Sequence, residues 1–415
     1  MSTEHGIVIV GGGLAGARAA EGARTAGYEG PVRIIAAEDA MPYIRPPLSK
    51  EFLIGTGTRD AIDVHPADWY GEHRVQVFRG IRATALDLSA HRVRLDDGRN
   101  LGYDRLLLAT GSAPRRWPGA GADLMGVHVL RTIDDSLALR ELFEPGGRRI
   151  VLIGAGWIGL EVAAAARGYG NEVAVVAPGA VPLEAAIGST AGEVFARLHR
   201  EHGVDLRLST KVEGIVGDGG RATGVAVEGD QVVPADAVVV GIGAVPLTGL
   251  AEAAGIDVEN GVTTDAGFRT SADDVYAVGD VASVYQPFLG QHLRTEHWAT
   301  AENQGPAAGR SMAGEAIEFD EPPYFYTDQY DLGMEFSGYG PLMAGVEPVF
   351  RGDVPGREFI AFWLAGDRVV AGMNVNVWDV NEQVQQFIRS RARVDVDRLV
   401  DPAVPLDVVL AEATA

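Results

Sequence analysis

Two glycine-rich segments of one pattern are the clearest indication of chemistry in this chain. They share a Gly-x-Gly-x-x-Gly spacing, with Gly11, Gly13 and Gly16 in the first and Gly154, Gly156 and Gly159 in the second. Each follows an apolar run and begins an alanine-rich stretch, as a strand–turn–helix unit would. In such a unit the first glycine permits a tight turn, the second lets the backbone approach a pyrophosphate, and the third lets helix pack on strand. Because the helix N-terminus adds free N–H groups and a positive dipole, the chain is predicted to bind two dinucleotides.

Three carboxylates lie where they could bind other parts of such nucleotides. Glu38 follows the second predicted strand, a position at which an acid commonly holds ribose hydroxyls. Glu161 follows the last glycine of the second segment, and a buried carboxylate at a helix start needs a partner, which favours a ligand. Asp280 lies just after the apolar run Val275–Val278 and could bind a ligand or cap a helix, two roles that are compatible.

The strand end of the second segment carries no such acid. Ala177, Pro178 and Gly179 stand where a site for NADH usually has Glu or Asp, and where a site for NADPH has an Arg nearby. If the second segment binds a nicotinamide nucleotide, we therefore expect NADH to be preferred only weakly, with NADPH possible.

Composition restricts the class of protein. The 415 residues, 47% hydrophobic and 22% charged, are typical of a globular protein of two or three domains. No apolar run reaches the roughly 18–20 residues of a membrane span, and the first strand begins near Gly6, so we expect a cytoplasmic protein with no membrane partner. The net charge of −22 also disfavours nucleic acid as a partner.

The chain contains no cysteine. A redox-active disulfide and a cysteine-ligated iron–sulfur cluster are therefore excluded. Its histidines show no metal-ligand spacing, and we expect no metal site.

The elements that must position these residues follow from the apolar periodicity. We predict βαβ units at Gly6–Ala37 and Arg149–Ala177, a strand at Asp236–Pro246, a strand within Val275–Ser283 that ends at Gly279–Asp280, antiparallel strands within His91–Gly111, helices at Thr300–Ala313 and Val380–Arg391, and a hairpin turning at Gly366–Asp367. The fold class is α/β, with two Rossmann-like dinucleotide-binding domains, one inserted in the other, and a C-terminal α+β domain. The predicted boundaries are 1–112 and 246–320 for the domain of the first glycine segment, 113–245 for the inserted domain of the second glycine segment and 321–415 for the C-terminal domain.

Taken in order, the motifs resemble those of a known family. They are GGGLAG, RPPLSK, LATGSAPR, GAGWIGLE, VYAVGDVAS and RTEHWATAENQG, and they cover nearly the whole chain. This ordered set is similar to that of the glutathione-reductase-type flavoproteins and, within them, of the FAD-dependent NAD(P)H:ferredoxin reductases that serve cytochrome P450s and ring-hydroxylating dioxygenases.

The resemblance implies roles for individual residues at an FAD site. The first glycine segment would hold the pyrophosphate, with Ala15 donating its backbone N–H, and RPPLSK would run beside the isoalloxazine, with Lys50 as a fixed cation near flavin N5. Trp298 would flank the flavin and pass electrons towards the surface, although a core tryptophan is the alternative. The other implied FAD contacts are Glu38, Arg45, Pro46, Ala83, Arg131 and Asp280.

The resemblance also implies a nicotinamide site. The second glycine segment would hold NADH with Ile158 at the helix start, Glu161 would reach the carboxamide of the nicotinamide, and Gly243 would allow close backbone approach where the two cofactors meet. We thus regard Lys50, Glu161 and Trp298 as the candidate catalytic residues.

The expected function is electron transfer from NADH through FAD to a [2Fe–2S] ferredoxin, by a monomer or weak homodimer. Two alternatives remain: an NADH-driven rubredoxin or quinone reductase, and a redox-sensing charge-transfer flavoprotein. A basic patch of Arg45, Arg294 and Arg310 is expected to guide an acidic ferredoxin, although each of these could instead form a structural ion pair.

Overall fold

The computed structural model describes residues 5–415. Its contacts divide the chain into two compact units. The first runs to Pro46 and includes Thr58–Ala113 and Ala244–Glu321; the second comprises Pro47–Gly57, Pro114–Gly243 and Pro322–Ala415. The segment that carries Lys50, placed in the first domain from the sequence, thus groups with the second unit.

The strands of the described chain are β1 Ile7–Val10, β2 Val32–Ala36, β3 Val75–Arg79, β4 Ala83–Asp87, β5 Arg92–Leu95, β6 Asn100–Gly102, β7 Arg105–Leu108, β8 Ser112–Pro114, β9 Val127–His128, β10 Arg149–Ile153, β11 Glu172–Val176, β12 Asp205–Arg207, β13 Val212–Asp218, β14 Arg221–Val227, β15 Gln231–Pro234, β16 Ala237–Val240, β17 Ala244–Pro246, β18 Val262–Thr264, β19 Val275–Ala277, β20 Ala282–Gln286, β21 Gln291–Leu293, β22 Tyr324–Gln329, β23 Leu332–Gly338, β24 Val349–Asp353, β25 Glu358–Ala365 and β26 Arg368–Val375.

The α-helices of the same residues are α1 Leu14–Thr25, α2 Ala67–Glu72, α3 Ile133–Phe143, α4 Trp157–Gly168, α5 Glu184–Glu201, α6 Gly249–Ala253, α7 Trp298–Met312, α8 Gly340–Met343, α9 Asn381–Ser390, α10 Val396–Val400 and α11 Leu406–Thr414.

A parallel sheet of order β19-β7-β1-β2-β3 forms the centre of the first unit. All four residues of β1 are at most 5% exposed, because parallel sheets are covered on both faces. The helices α1 and α7 pack against each other through small residues. A Cβ atom added at Gly309 would lie 2.1 Å from the carbonyl oxygen of Ala19, so the two backbones lie in direct contact.

The second unit contains two sheets of different kinds. One is parallel, with the order β12-β11-β10-β16-β9, and carries the second glycine segment between β10 and α4. The other is antiparallel, with the order β22-β23-β26-β25-β24, and includes the predicted hairpin between β25 and β26. A buried cluster that includes Leu160 of α4, Phe195 of α5 and Trp363 of β25 lies in this unit.

Two of the three predicted strand segments differ from the structure. The segment Asp236–Pro246 is two strands, because Gly243 has a φ of +96° and the chain turns between β16 and β17. In the segment Val275–Ser283 the strand ends before Gly279, close to the predicted end: Gly279 has a φ of +73°, and a single 3₁₀ turn separates β19 from β20. Within His91–Gly111, β5 and β6 pair antiparallel as predicted, but β7 pairs in parallel with β1. Its leucines are buried, which suits a central parallel strand.

Candidate functional site

The first glycine turn lies between β1 and α1. Gly11 has a φ of +135°, and a Cβ atom there would lie 2.0 Å from the carbonyl oxygen of Ala109. A Cβ at Gly16 would lie 2.3 Å from the carbonyl oxygen of Gly11. At Gly13, by contrast, a Cβ would meet no atom within 4 Å. The helix that begins there has no side-chain cap and no acid in its first turn, so its N–H groups and open space suit a pyrophosphate.

The second glycine turn, between β10 and α4, repeats this geometry. A Cβ at Gly154 would lie 2.3 Å from the carbonyl oxygen of Gly241, and one at Gly159 would lie 2.6 Å from that of Gly154. A Cβ at Gly156 would again meet nothing within 4 Å, and α4 has neither a side-chain cap nor an acid in its first turn. Ile158, at the start of α4, leaves 47% of its surface exposed, as an apolar ligand contact would require. Both turns therefore fit a dinucleotide.

The Asp280 segment approaches the first turn. A Cβ atom added to Gly279 would lie 3.2 Å from that of Ala15, so this segment packs against the start of α1. The Asp280 carboxylate accepts a hydrogen bond from Ser112 Oγ at 2.7 Å, while Arg294 donates to the Asp280 carbonyl at 3.2 Å. Asp280 lies inside the 3₁₀ turn Gly279–Val281, whose N-cap position is Val278, so Asp280 does not occupy the cap position of this turn. Because a carboxylate oxygen can accept more than one hydrogen bond, Asp280 can also accept from a ligand hydroxyl.

Glu38 lies beyond the end of β2 and is fixed by two neighbours. Arg45 Nη2 donates to Glu38 Oε1 at 2.8 Å, and the Tyr43 hydroxyl donates to Glu38 Oε2. Arg45 also donates to the Tyr43 hydroxyl at 2.8 Å. Each carboxylate oxygen retains a further lone pair, so Glu38 can still accept ribose hydroxyls.

The structure brings Lys50 and Glu161 together in the second unit. Lys50 Nζ lies 2.8 Å from Glu161 Oε1, and the side chains are 9% and 5% exposed. Ser49 donates to Glu161 Oε2, and Thr327 of β22 donates to Glu161 Oε1 at 2.5 Å. The carboxylate is thus held in one orientation by three donors from two distant segments, and charge-assisted hydrogen bonds of this kind are among the strong ones in proteins.

Tyr326 and Asp328 lie near this ion pair. Lys50 Nζ lies 5.5 Å from the centre of the Tyr326 ring, within cation–π range. Burial raises the pKa of Asp328 above its ordinary value; Lys50 opposes that shift and the charge of Glu161 adds to it. The site is therefore a desolvated region in which charge interactions are strong.

The strand end at Ala177 has a cation that sequence reasoning missed. In the register of β11 and β12, Val176 lies opposite Arg207, and Ala177 donates its N–H to the Arg207 carbonyl at 3.1 Å. Arg207 pairs with Asp205 at 2.8 Å and stays partly exposed. Val176 and Arg207 are 31 positions apart in the sequence, so they become neighbours only through the pairing of β11 with β12. The order of the parallel strands would have been needed to predict this contact.

The remaining predicted residues are dispersed over both units. In the first unit Ala83 begins β4, Pro46 precedes the Lys50 segment, and the partly buried Trp298 is the first residue of α7. In the second unit Arg131 precedes the capping box of α3, and Gly243 accepts a hydrogen bond from the Arg115 N–H at 2.9 Å.

Ser49, Ser112, Tyr43 and Thr327 were not predicted. Ser49 adjoins Lys50 in sequence, and Thr327 and Gln329 alternate along β22 at buried positions, which is the pattern that could have identified them. No group of His, Asp or Glu able to hold a metal occurs within residues 5–415. Over the same residues, none of the helices has the length and apolar character needed to cross a bilayer.

Comparison with known proteins identifies the family. The pyridine nucleotide-disulphide oxidoreductase family matches residues 5–305, and the reductase C-terminal domain matches residues 324–410. The chain is 40% identical over 406 residues to the ferredoxin–NAD(+) reductase component of the anthranilate 1,2-dioxygenase system of Burkholderia cepacia, covering 97% of this chain and 99% of that relative. It is 37% identical over 338 residues to the rubredoxin–NAD(+) reductase of Pseudomonas putida, covering 81% and 86%. The structure matches that of the covalent putidaredoxin reductase–putidaredoxin complex with a TM-score of 0.94 and 35% identity, over 99% of both chains.

The chain belongs to the pyridine nucleotide-disulphide oxidoreductase family and, within it, to the ferredoxin–NAD(P)+ reductases. The predicted family, fold class, enzyme class and ferredoxin reductase function are thereby confirmed, as are FAD and NAD(P)H as cofactors. The domain boundaries and the roles of individual residues stay predictions.

Proposed function

We propose that this protein passes electrons from NADH, through FAD, to a [2Fe–2S] ferredoxin that serves a cytochrome P450 or a ring-hydroxylating dioxygenase. The observation that carries the proposal is the similarity along nearly the full length of both chains to a ferredoxin–NAD(+) reductase component of a dioxygenase system. Two uncapped glycine turns in two units support it, because one donor nucleotide and one flavin nucleotide need two such turns.

The absence of cysteine supports an external electron acceptor. A disulfide within the chain cannot take up electrons, because the sequence contains no cysteine to form one. FAD, when bound, accepts electrons in pairs from a nicotinamide nucleotide and can release them singly. A one-electron carrier such as a ferredoxin is the acceptor that needs this conversion.

The residues of the first unit would hold FAD. The N–H groups at Gly13 and Ala15 would bind the pyrophosphate, Glu38 would accept the ribose hydroxyls, and Asp280 would accept hydroxyls of the ribityl chain. The ion pair between Arg45 and Glu38 fixes the carboxylate in place. Trp298 would lie at the flavin edge.

The residues of the second unit would hold the nicotinamide nucleotide. The N–H groups after Gly156 would bind its pyrophosphate, with Ile158 against it, and Glu161 would accept a hydrogen bond from the carboxamide. Lys50 neutralises the Glu161 carboxylate at 2.8 Å, which lets that acceptor stay buried.

The test is reconstitution of the purified FAD-loaded protein with the [2Fe–2S] ferredoxins encoded in its own genome. We expect NADH-dependent reduction of at least one of them, followed at the visible bands of its cluster. Flavin reduction by NADH that is never followed by reoxidation with any of these ferredoxins would contradict the proposal and favour a redox sensor.

A rubredoxin reductase is the second candidate, because the chain also matches a rubredoxin–NAD(+) reductase over 81% of its length. The same assay with a rubredoxin in place of the ferredoxin separates the two functions, since the preferred acceptor is the one with the higher kcat/KM. The cytoplasmic location and the monomeric or weakly dimeric state stay predictions, and sedimentation at several concentrations would measure the latter.

A further inference from the structure

A chain of buried polar side chains continues from Glu161 into the interior of the second unit. Thr327 Oγ1 contacts Glu161 at 2.5 Å, Gln329 Nε2 contacts Thr327 Oγ1 at 3.1 Å, and Gln329 Oε1 contacts His199 Nε2 at 2.8 Å. Thr327 and Gln329 are each 1% exposed, and His199, on α5, is 0% exposed. Buried polar side chains such as these four nearly always have hydrogen-bond partners.

The direction of every hydrogen bond in this chain follows from the donors available. Glu161, paired with Lys50, can only accept, so the single hydroxyl proton of Thr327 must point towards it. Thr327 must then accept from the amide nitrogen of Gln329, which turns the amide oxygen towards His199. His199 must therefore donate from Nε2, and all three bonds point towards Glu161.

His199 is the neutral end of this chain. Its Nδ1 atom has no hydrogen-bond partner within residues 5–415, which suits an imidazole protonated only at Nε2. Burial lowers the pKa of His199 to about 4, which also favours the neutral imidazole. Hydrogen bonds aligned in series polarise one another, so the chain strengthens the bond from Thr327 to the carboxylate.

We propose that Thr327, Gln329 and His199 are positioning residues that hold the Glu161 carboxylate in the orientation that binds the nicotinamide nucleotide. This inference rests on the proposed function only in assigning Glu161 to that nucleotide. Thr327 and Gln329 lie on β22, within the matched reductase C-terminal domain, so that domain would contribute to nucleotide binding through Glu161.

The test measures the Kd of the FAD-loaded protein for NAD+ by calorimetry, without ferredoxin. Thr327→Val removes the hydroxyl at nearly constant volume and should weaken NAD+ binding about tenfold, the effect of losing one charge-assisted hydrogen bond. Thr327→Ser retains the donor and should stay within about twofold of the wild type. The matched control is Ser337→Ala, since Ser337 is a buried residue of the same sheet whose hydroxyl donates to Asn381 of α9 and takes no part in the chain from Glu161 to His199.

The decisive measurement is a double-mutant cycle with Glu161→Gln. If Thr327 acts through the carboxylate, Thr327→Val should change NAD+ affinity less than about twofold in the Glu161→Gln background. An equal tenfold loss in both backgrounds would overturn the proposal. Should Thr327→Val fail to fold, Gln329→Met and His199→Phe replace it, with the loss in affinity expected to decrease in that order as distance from Glu161 grows.

Other outcomes separate this inference from the proposed function. Losses in affinity that follow the thermal midpoints of the variants, with Ser337→Ala affected equally, would show a structural role and reject the inference. Unchanged NAD+ affinity in Glu161→Gln alone would also reject it. Failure to reduce any ferredoxin would overturn the proposed function. The inference about Glu161 would not be affected, because NAD+ affinity is measured without ferredoxin.

Discussion

At the residue scale, Asp280 is held beside the first glycine turn by contacts to both its side chain and its backbone. Its carboxylate accepts from Ser112 and its carbonyl accepts from Arg294, so the side chain is held beside the first glycine turn instead of capping a helix. Sequence reasoning left these two readings open because both need an acid at a strand end. The sequence predicts that the strand ends at Gly279–Asp280, and the structure adds that Asp280 lies inside the 3₁₀ turn that follows, whose N-cap position is Val278. The role of Asp280 towards FAD stays a prediction.

We predict that Asp280→Ala is purified with much less FAD than the wild type. A hydrogen bond to a charged group contributes about 1.5–3 kcal/mol, which corresponds to roughly a tenfold to hundredfold loss in affinity. The ratio of flavin absorbance to protein absorbance measures the FAD content of the purified variant. Asp280→Asn is the matched control and should lose less, because the amide oxygen still accepts a hydrogen bond; full flavin content in Asp280→Ala would assign this residue a structural role alone.

A second residue-scale prediction concerns acid stability. The pKa of His199 is lowered to about 4 by burial, with Gln329, His202 and Tyr330 around the ring. Between pH 6.5 and 4 the unfolded chain therefore binds a proton that the folded chain does not, so stability falls as the pH is lowered. One such histidine lowers the free energy of unfolding by at most about 3 kcal/mol at pH 4.

Urea unfolding at pH 7 and pH 4.5 measures this effect. His199→Gln should lose less stability between the two values than the wild type does. The exposed His292 serves as control, and His292→Gln should retain the wild-type pH dependence. If the free energy of unfolding falls equally between pH 7 and pH 4.5 in the wild type and in His199→Gln, protonation of His199 does not destabilise the folded state.

At the element scale, the glycine turns could be predicted because every residue that shapes them is local in sequence. The contact between Glu161 and Thr327 could not, because it joins a helix start to a strand 166 residues further along the chain. The same holds for Arg207, which reaches Ala177 only through the pairing of β11 with β12. Sequence periodicity predicts which elements form; the order of strands decides which side chains meet.

The end of β11 yields a prediction on nucleotide preference. Wild-type protein should favour NADH only modestly, because Ala177 offers no carboxylate and Arg207 lies on the adjacent strand. Ala177→Glu should raise the ratio of kcat/KM for NADH to that for NADPH by about tenfold or more, since a carboxylate repels the 2′-phosphate. Ala177→Gln has the same size without the charge and should change that ratio far less.

A wild-type preference for NADPH would contradict the assignment of NADH. In that case Arg207→Ala should lower kcat/KM for NADPH and leave the value for NADH within about twofold. No change with either nucleotide would show that Arg207 serves only its ion pair with Asp205.

The packing of α1 on α7 gives the next prediction. A Cβ atom at Gly309 would lie 2.1 Å from the Ala19 carbonyl oxygen and 2.5 Å from the Ala23 nitrogen, so Gly309→Ala must separate the helices. Overpacking of this kind costs about 1–3 kcal/mol or more, and α1 begins at the first glycine turn, so FAD content should fall with the thermal midpoint. Gly71→Ala is the control, because a Cβ there meets nothing within 4 Å in helix α2. An unchanged midpoint in Gly309→Ala would contradict the close packing.

At the scale of the whole molecule, charge sets how an acidic ferredoxin approaches. The chain has a net charge of −22. The three arginines expected to form a basic patch each have an acidic partner: Arg45 pairs with Glu38, Arg294 with Glu296 and Arg310 with Glu315. Their charges are offset locally, so the structure does not support a patch made of these residues.

We therefore predict that salt promotes the encounter of this protein with an acidic ferredoxin. Between about 10 and 150 mM NaCl the Debye length falls from about 30 to about 8 Å, which screens the repulsion between two negative proteins while short-range docking contacts persist. Stopped-flow measurement of kcat/KM for the ferredoxin should show a rise over this range, whereas turnover with a small neutral quinone should stay flat. Arg310→Glu should change kcat/KM for the ferredoxin less than about twofold relative to Arg310→Gln, since Glu315 already offsets Arg310. A steep fall with salt, together with a large loss in Arg310→Glu, would restore the basic patch and show that the ferredoxin displaces Glu315 when it docks.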